Sequence, residues 1–294
     1  MENFRMTRRF LLLAAGSALA RASQKAAEMS VEGYIFQQYA QNLKKPLGEV
    51  LDEVIPMARA AGFRNLELND GFFTPAIRAR ALALIREQGL NMPSVYVGGA
   101  LHERTAAKLT IERAQATAEM CAPFGCKAVV NNPDPKPDGT PKTDAELAIE
   151  AESVIAMDRA LAAAGFQLRV HHHTPQLENH AREWRFLLHN TDAHLCVDVD
   201  WAYEGGFDPV EFLAEAGQRV TEIHVRSARN KVWLEDVEDS DIDYRKVAAL
   251  LKRERIRPLI VVELAYRPAT KLTRKLQEDL EMSRKYTESV LGDL

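Results

Sequence analysis

The chain has 294 residues, of which 46% are hydrophobic, with 42 acidic and 38 basic side chains and a formal net charge of −4. That length suffices for one large core, and the mild negative charge builds no broad basic surface, which argues against a nucleic-acid partner. The three cysteines, Cys121, Cys126 and Cys196, lack CxxC spacing and are odd in number, which argues against a disulfide framework.

In chain order, residues 1–22 read as an export signal. Arg5, Arg8 and Arg9 precede an apolar run of about ten residues, which ends in the small residues Ala18–Ala20. The paired arginines before "FLLLA" resemble a twin-arginine signal, so the expectation is a periplasmic or secreted protein with a mature start near Arg21 or Ser23. The run is too short for a stable membrane anchor, and no cysteine follows it for lipid attachment.

Beyond it, short apolar runs alternate with amphipathic stretches. The predicted strands are Gly33–Gln38, Arg64–Asn69, Asn91–Val97, Cys126–Asn132, Phe166–His173, His194–Asp200, Val220–Ser227 and Pro258–Tyr266. Several of the helical stretches between them end on a glycine at the position after the helix, namely Gly62, Gly89, Gly125 and Gly165. Thr143–Glu146 fits a capping box. Eight strand–helix units in this length predict an α/β protein with a (β/α)8 TIM barrel as a single domain over residues 30–294. A doubly wound open sheet is the alternative, but it wants a glycine-rich first turn and no GxGxxG is present.

In a barrel the chemistry sits at the C-terminal strand ends, and every second residue points inward. The fifth strand then aligns Arg169, His171 and His173. The sixth aligns Cys196, Asp198 and Asp200, with Trp201 next. The seventh aligns Glu222, His224 and Arg226, and the eighth aligns Val261 and Glu263. A lone Asp at a strand end is commonly a helix cap, and a lone His a satisfied core residue. Glu263 is harder to dismiss, because an unpaired carboxylate in an apolar strand is very costly. One divalent metal held by Asp198, His224 and Glu263 explains all three positions, and this mixed oxygen and nitrogen set suits Mn²⁺, Co²⁺, Mg²⁺ or Zn²⁺.

From about Gly33 to its end the sequence resembles the sugar phosphate isomerase/epimerase family of xylose-isomerase-like barrels. The resemblance is carried by "LRVHHHTPQLEN", "VDVDWAYEGGFDPVEFL", "RVTEIHVRSARN" and "LIVVELAY". It implies one divalent metal on an Asp, a His and a Glu, matching Asp198, His224 and Glu263, plus a Glu after the fifth strand. Here the chain departs from the family: it reads "HHHTPQ", and Gln176 stands where the glutamate is expected. A glutamine can offer a metal its carbonyl oxygen but cannot act as a base. The family dehydratases of keto-inositols share an HHH run followed by a non-acidic residue.

The resemblance implies an isomerase or epimerase acting on a sugar or keto-sugar through proton abstraction next to a carbonyl, with the enediolate held by the metal. Loss of one glutamate puts a two-base epimerisation in doubt and leaves room for a one-base isomerisation, or for elimination by a lyase from a keto-inositol or 3-keto-glycoside. Glu263 is then the base, His171 or His173 the proton donor, and Arg226, Trp201 and Gln176 substrate contacts. Export favours an unphosphorylated substrate. Homodimers are common in the family. The alternatives are a non-catalytic sugar-binding barrel and an apurinic-type endonuclease, which wants more metal ligands and a basic groove. Glu67, Asn69, Asn131, Asn132 and His102 are further polar residues near strand ends. The acidic stretch Lys231–Tyr244 reads as a solvated charge run, with a lid as the alternative.

Overall fold

The protein is described here by a computed structural model covering residues 27–294. The export signal expected over 1–22 lies outside the described residues. Eight parallel strands close into a barrel: β1 Met29–Glu32, β2 Asn65–Asn69, β3 Asn91–Tyr96, β4 Ala128–Asn131, β5 Gln167–Val170, β6 His194–Asp198, β7 Val220–Val225 and β10 Leu259–Val262. The order around the barrel follows the chain, and β1 closes the ring between β2 and β10. Two further strands, β8 Ala228–Arg229 and β9 Val232–Trp233, form a small antiparallel hairpin after β7. No helix among the described residues is long and apolar enough to cross a membrane.

One element differs from the sequence reading. Gly33–Gln38 is not the first strand. That strand is Met29–Glu32, and Tyr34–Asn42 is a helix. Tyr, Ile and Phe favour strands, but Ile35, Phe36 and Ala40 recur with the helical period and all three are buried. The short "MSVE" run bonds on both sides, with Val31 opposite both Val262 and Leu66. Ladder formation on two edges outweighs local propensity.

Local signals work better at the helix boundaries. Thr143 and Glu146 cap Asp144–Ala163 reciprocally, as expected. The helix Thr174–Asn190 is interrupted instead. Asn179, His180 and Ala181 have φ of 51, 59 and 58°, three successive non-glycine residues in the left-handed region. Each such residue costs about 1–2 kcal/mol, and the surrounding contacts hold the turn: Ala181 is buried, and the Arg185 guanidinium bonds the His180 carbonyl at 2.9 Å.

The acidic stretch after β7 is not a solvated run. Glu235, Asp236 and Val237 are buried. Arg274 answers both acids, at 3.1 Å and 2.9 Å. Once a cation from the distant helix entry is in reach, burying these carboxylates becomes affordable in a way the local charge density does not reveal.

Candidate metal centre

Strand register brings the polar strand ends together. In the β6–β7 pairing Asp198 lies opposite His224, and in the β7–β10 pairing His224 lies opposite Val261, two residues before Glu263. The strands stop at this level. β5 ends at Val170, just before the three histidines, and β6 ends at Asp198, which caps the helix Val199–Glu204. Asp198 Oδ1 accepts the N–H groups of Asp200 and Trp201, both at 2.8 Å, which fixes the carboxylate. Its other oxygen, Oδ2, faces the barrel axis, 3.1 Å from Arg226 Nη2 and 3.8 Å from His171 Nε2.

His171, Asp198, His224 and Glu263 each offer a ligand atom, and these atoms all lie within 4.8 Å of one another. His224 Nδ1 is 2.7 Å from Glu263 Oε2. Neither ring nitrogen of His171 has a hydrogen-bond partner among the described residues, although the ring is fully buried. A buried, unpartnered imidazole within reach of two carboxylates and a second imidazole is a donor set of a kind that suits a divalent cation. Cys196 forms a second such group with His171 and His224, and Glu67 and Glu222 a third with His224. The Cys196 thiol, like those of Cys121 and Cys126, is free and buried.

The other sequence candidates fall differently. Gln176 bonds backbone on both sides of its amide. Its Oε1 accepts the His173 N–H at 2.8 Å and its Nε2 donates to the Pro133 carbonyl at 2.9 Å, so it braces backbone. His171 stands among the potential ligands. Arg226 is fully buried and faces carboxylates: Nη2 is 3.3 Å from Glu263 Oε1 and Nε is 3.4 Å from Asp200 Oδ2. His173 packs at the mouth against His171 and Trp201, with ring centroids 5.0 Å and 5.1 Å away. The β8–β9 hairpin covers this end. Trp233 Nε1 donates to Asp200 Oδ2 at 2.8 Å, and the guanidiniums of Arg226 and Arg267 stack on its ring at 4.1 Å and 3.8 Å.

Burial dominates the electrostatics. It lifts Asp198 to about 8, against the pull of Arg226, and Asp200 to about 6. Burial also raises Glu263, but Arg226 and His224 more than cancel this and hold it at about 2. Burial opposes protonation of His224 too, yet Cys196 and Glu67 raise it well above the usual histidine range. Desolvation lowers His171 strongly and brings His173 to about 4, so both are neutral near pH 7 and neither is a ready proton donor. The donor role expected for them would call for a proton that burial disfavours.

Sequence reasoning missed Glu32 and Tyr96. Glu32 ends β1, is buried, and is raised well above the carboxylate range by burial and by Glu263. The Tyr96 hydroxyl lies 3.5 Å from His173 Nε2. The alternation in "NMPSVY" carries Tyr96, whereas Glu32 was hidden by the misplaced first strand. Among the lesser candidates, Asn131 bonds the Val97 carbonyl and His102 lies in a separate ionic cluster with Glu150.

A family model described as xylose isomerase-like TIM barrel matches residues 55–286. An inosose dehydratase of Geobacillus kaustophilus (strain HTA426) is 26% identical over 211 residues, which cover 66% of this chain and 67% of that protein. A sugar phosphate isomerase/epimerase from Parabacteroides distasonis superposes with a TM-score of 0.68 at 16% identity, covering 91% of this chain and 96% of its own. A xylose isomerase-like TIM barrel protein from Mycobacterium smegmatis, in complex with magnesium, gives 0.65 at 13% identity, covering 83% and 89%. At such identities the two structures share the fold.

Proposed function

The chain belongs to the xylose isomerase-like TIM barrel family, and on that premise we propose that it is a divalent-metal-dependent enzyme acting on a keto-sugar or keto-inositol. The proposed chemistry is removal of a proton next to the carbonyl, followed by isomerisation or loss of water. The observation that carries this reading is the convergence of His171, Asp198, His224 and Glu263 at the C-terminal end of the barrel. These four residues would hold the ion. When bound, a divalent ion polarises a carbonyl and stabilises the negative charge that develops on its oxygen.

Glu263 is the proposed base. Its pairing with Arg226 and His224 holds it at about 2, so it is ionised across the working pH range but a weak base until those pairings loosen. Gln176 offers no second carboxylate from β5, and its amide is taken up by backbone. Protonation from the opposite face, which epimerisation requires, therefore lacks its family base. A single base can take the proton from one carbon and return it on the same face. Returned to the neighbouring carbon, the proton gives isomerisation. Returned to a departing hydroxyl, it gives water and a carbon–carbon double bond. Neutral His173, beside the Tyr96 hydroxyl, is the proposed contact that orients a substrate hydroxyl.

The ion pairs of Arg226 support an uncharged substrate. Its charge is already answered by Asp198, Asp200 and Glu263, so it is not free to pair with a phosphate. The sequence relationship to an inosose dehydratase favours elimination among the one-base outcomes. Periplasmic placement is proposed from the leader sequence alone.

The test is metal analysis of purified wild-type protein and Glu263→Gln, followed by turnover assays of keto-inositols and keto-sugars with Mn²⁺ or Co²⁺. An ion bound to wild type and largely lost from the variant, with water released from a keto-inositol, is the expected result. An ion bound without turnover of any keto substrate would leave a sugar-binding barrel. No ion after loading at neutral pH would end the metal reading.

A further inference from the structure

His224 has carboxylates at both edges of its ring: Nδ1 is hydrogen-bonded to Glu263, and Nε2 has two carboxylates in reach without an aligned hydrogen bond. Its Nδ1 faces Glu263 at the mouth, while its Nε2 points into the barrel, 3.0 Å from Glu67 Oε1 and 3.4 Å from Glu222 Oε1. Glu67 comes from β2 and Glu222 from β7, and neither is exposed. Both are themselves fixed. Ser94 of β3 donates to Glu67 and lies 3.3 Å from Glu222 Oε1, and Arg169 of β5 pairs with Glu222.

Two carboxylates buried one layer beneath the mouth are expensive to keep. Arg169 answers one of them. Nothing in the reaction proposed above calls on either. What they face in common is the inner nitrogen of a candidate metal ligand. An imidazole that binds a metal through one nitrogen needs its other N–H accepted by a fixed group, because that hydrogen bond sets the tautomer, the ring orientation and the basicity of the ligating nitrogen.

We infer that Glu67 and Glu222 are positioning residues for His224: they accept its Nε2–H, leave Nδ1 as the nitrogen turned to the metal, and thereby set metal affinity. The inference rests on the metal reading above. It assigns the paired carboxylates no contact with substrate or ion.

The test is the dissociation constant for Co²⁺, by competition with a chromophoric chelator, in wild type, Glu67→Gln, Glu67→Asp and Ser94→Ala. It is combined with imidazole ¹⁵N NMR and the melting temperature of the metal-free proteins. Glu67→Gln should weaken Co²⁺ about 10- to 100-fold, with unchanged stoichiometry. At a pH high enough to leave the ring neutral, it should also convert His224 from one tautomer to a mixture, while the metal-free protein melts no lower than wild type. Glu67→Asp should recover part of the affinity. Ser94→Ala, which loosens Glu67 without removing charge, should weaken binding in the same direction. A folded Glu67→Gln protein with wild-type affinity and tautomer would overturn the inference and leave the metal site standing. A second Co²⁺ in wild type that disappears in Glu67→Gln would overturn it too, because Glu67 would then be a ligand. Absence of any Co²⁺ binding in wild type would remove the metal reading and this inference with it.

Discussion

Two clusters of buried charge in this molecule use the same side chains to different ends. Between the outer helices, Lys142 bonds Glu150 and lies 2.8 Å from Glu183, with His102 Nδ1 4.0 Å from Glu150. Inside the barrel, Glu32, Glu67, Asp198, Asp200, Glu222 and Glu263 share the space with Arg169, Arg226 and His224. In the helical shell an ammonium sits between its two acids and cannot leave. In the barrel the acids outnumber the cations: burial lifts Glu67 and Asp198 to about 8, as it does Glu150 in the shell, and raises Glu32 well above the carboxylate range, while neighbouring groups raise His224. Protons exchange for a metal ion, whereas a lysine does not. The shell shares a raised acid in Glu150, so what sets the barrel cluster apart is the convergence of four potential ligand atoms within 4.8 Å of one another.

Substitutions separate the two. Glu263→Gln should break the barrel cluster with the largest effect, lowering turnover by roughly two to four orders of magnitude and releasing the ion. Its urea-unfolding midpoint without metal should also fall, because buried Arg226 and His224 lose a partner. Lys142→Met should break the shell cluster instead. Leaving Glu150 and Glu183 buried without their cation should cost about 3–5 kcal/mol, read by urea unfolding, with metal content per folded chain unchanged.

A pH series sharpens the comparison. Glu67, Asp198 and Glu150 are all raised to about 8 when folded. They bind protons in the folded state that the unfolded chain has released, so stability is full below about pH 4.5 and falls as pH rises towards 8, at up to about 1.4 kcal/mol per pH unit for each group. His224, also raised, acts in the same sense above about pH 6.5. Glu222 and Glu263, lowered to about 2, weaken the fold only below about pH 4.5. Urea unfolding of metal-free protein from about pH 5 to about pH 8 should show the decline. Glu150→Gln should remove the shell's share whether or not metal is present. Saturating metal should suppress the barrel's share alone. The smallest expected effect is in the shell: Asn179→Gly relieves a left-handed residue and should stabilise by about 1 kcal/mol, with no change in metal affinity.

Much of the barrel could be read from the chain because its strands are short, apolar and punctuated by glycines that do adopt positive φ, such as Gly62 and Gly165. Alternation also placed Asp198, His224 and Glu263 on inward faces. What periodicity could not supply was register between strands far apart in sequence. That register puts Glu67 of β2 behind His224 of β7, and only assembly of the barrel reveals it. Nor could it supply the partner of a polar side chain. Gln176 looked like a weakened ligand because the residue type fits, yet two backbone groups of neighbouring loops claim its amide. His171 fits an acid by residue type, and its burial, which disfavours the charged form, is visible only in the folded barrel.

The covered mouth has a consequence for time. Trp233, bonded to Asp200 and stacked with Arg226 and Arg267, lies over residues that are themselves almost wholly withdrawn from water. An ion seated beneath it leaves only as often as the hairpin lifts, so exchange follows the opening rate and not the ranking of affinities among metals. The ion found in a purified sample will then be a record of what was abundant when the chain folded. Batches folded with different metals will stay different until the hairpin has had time to forget.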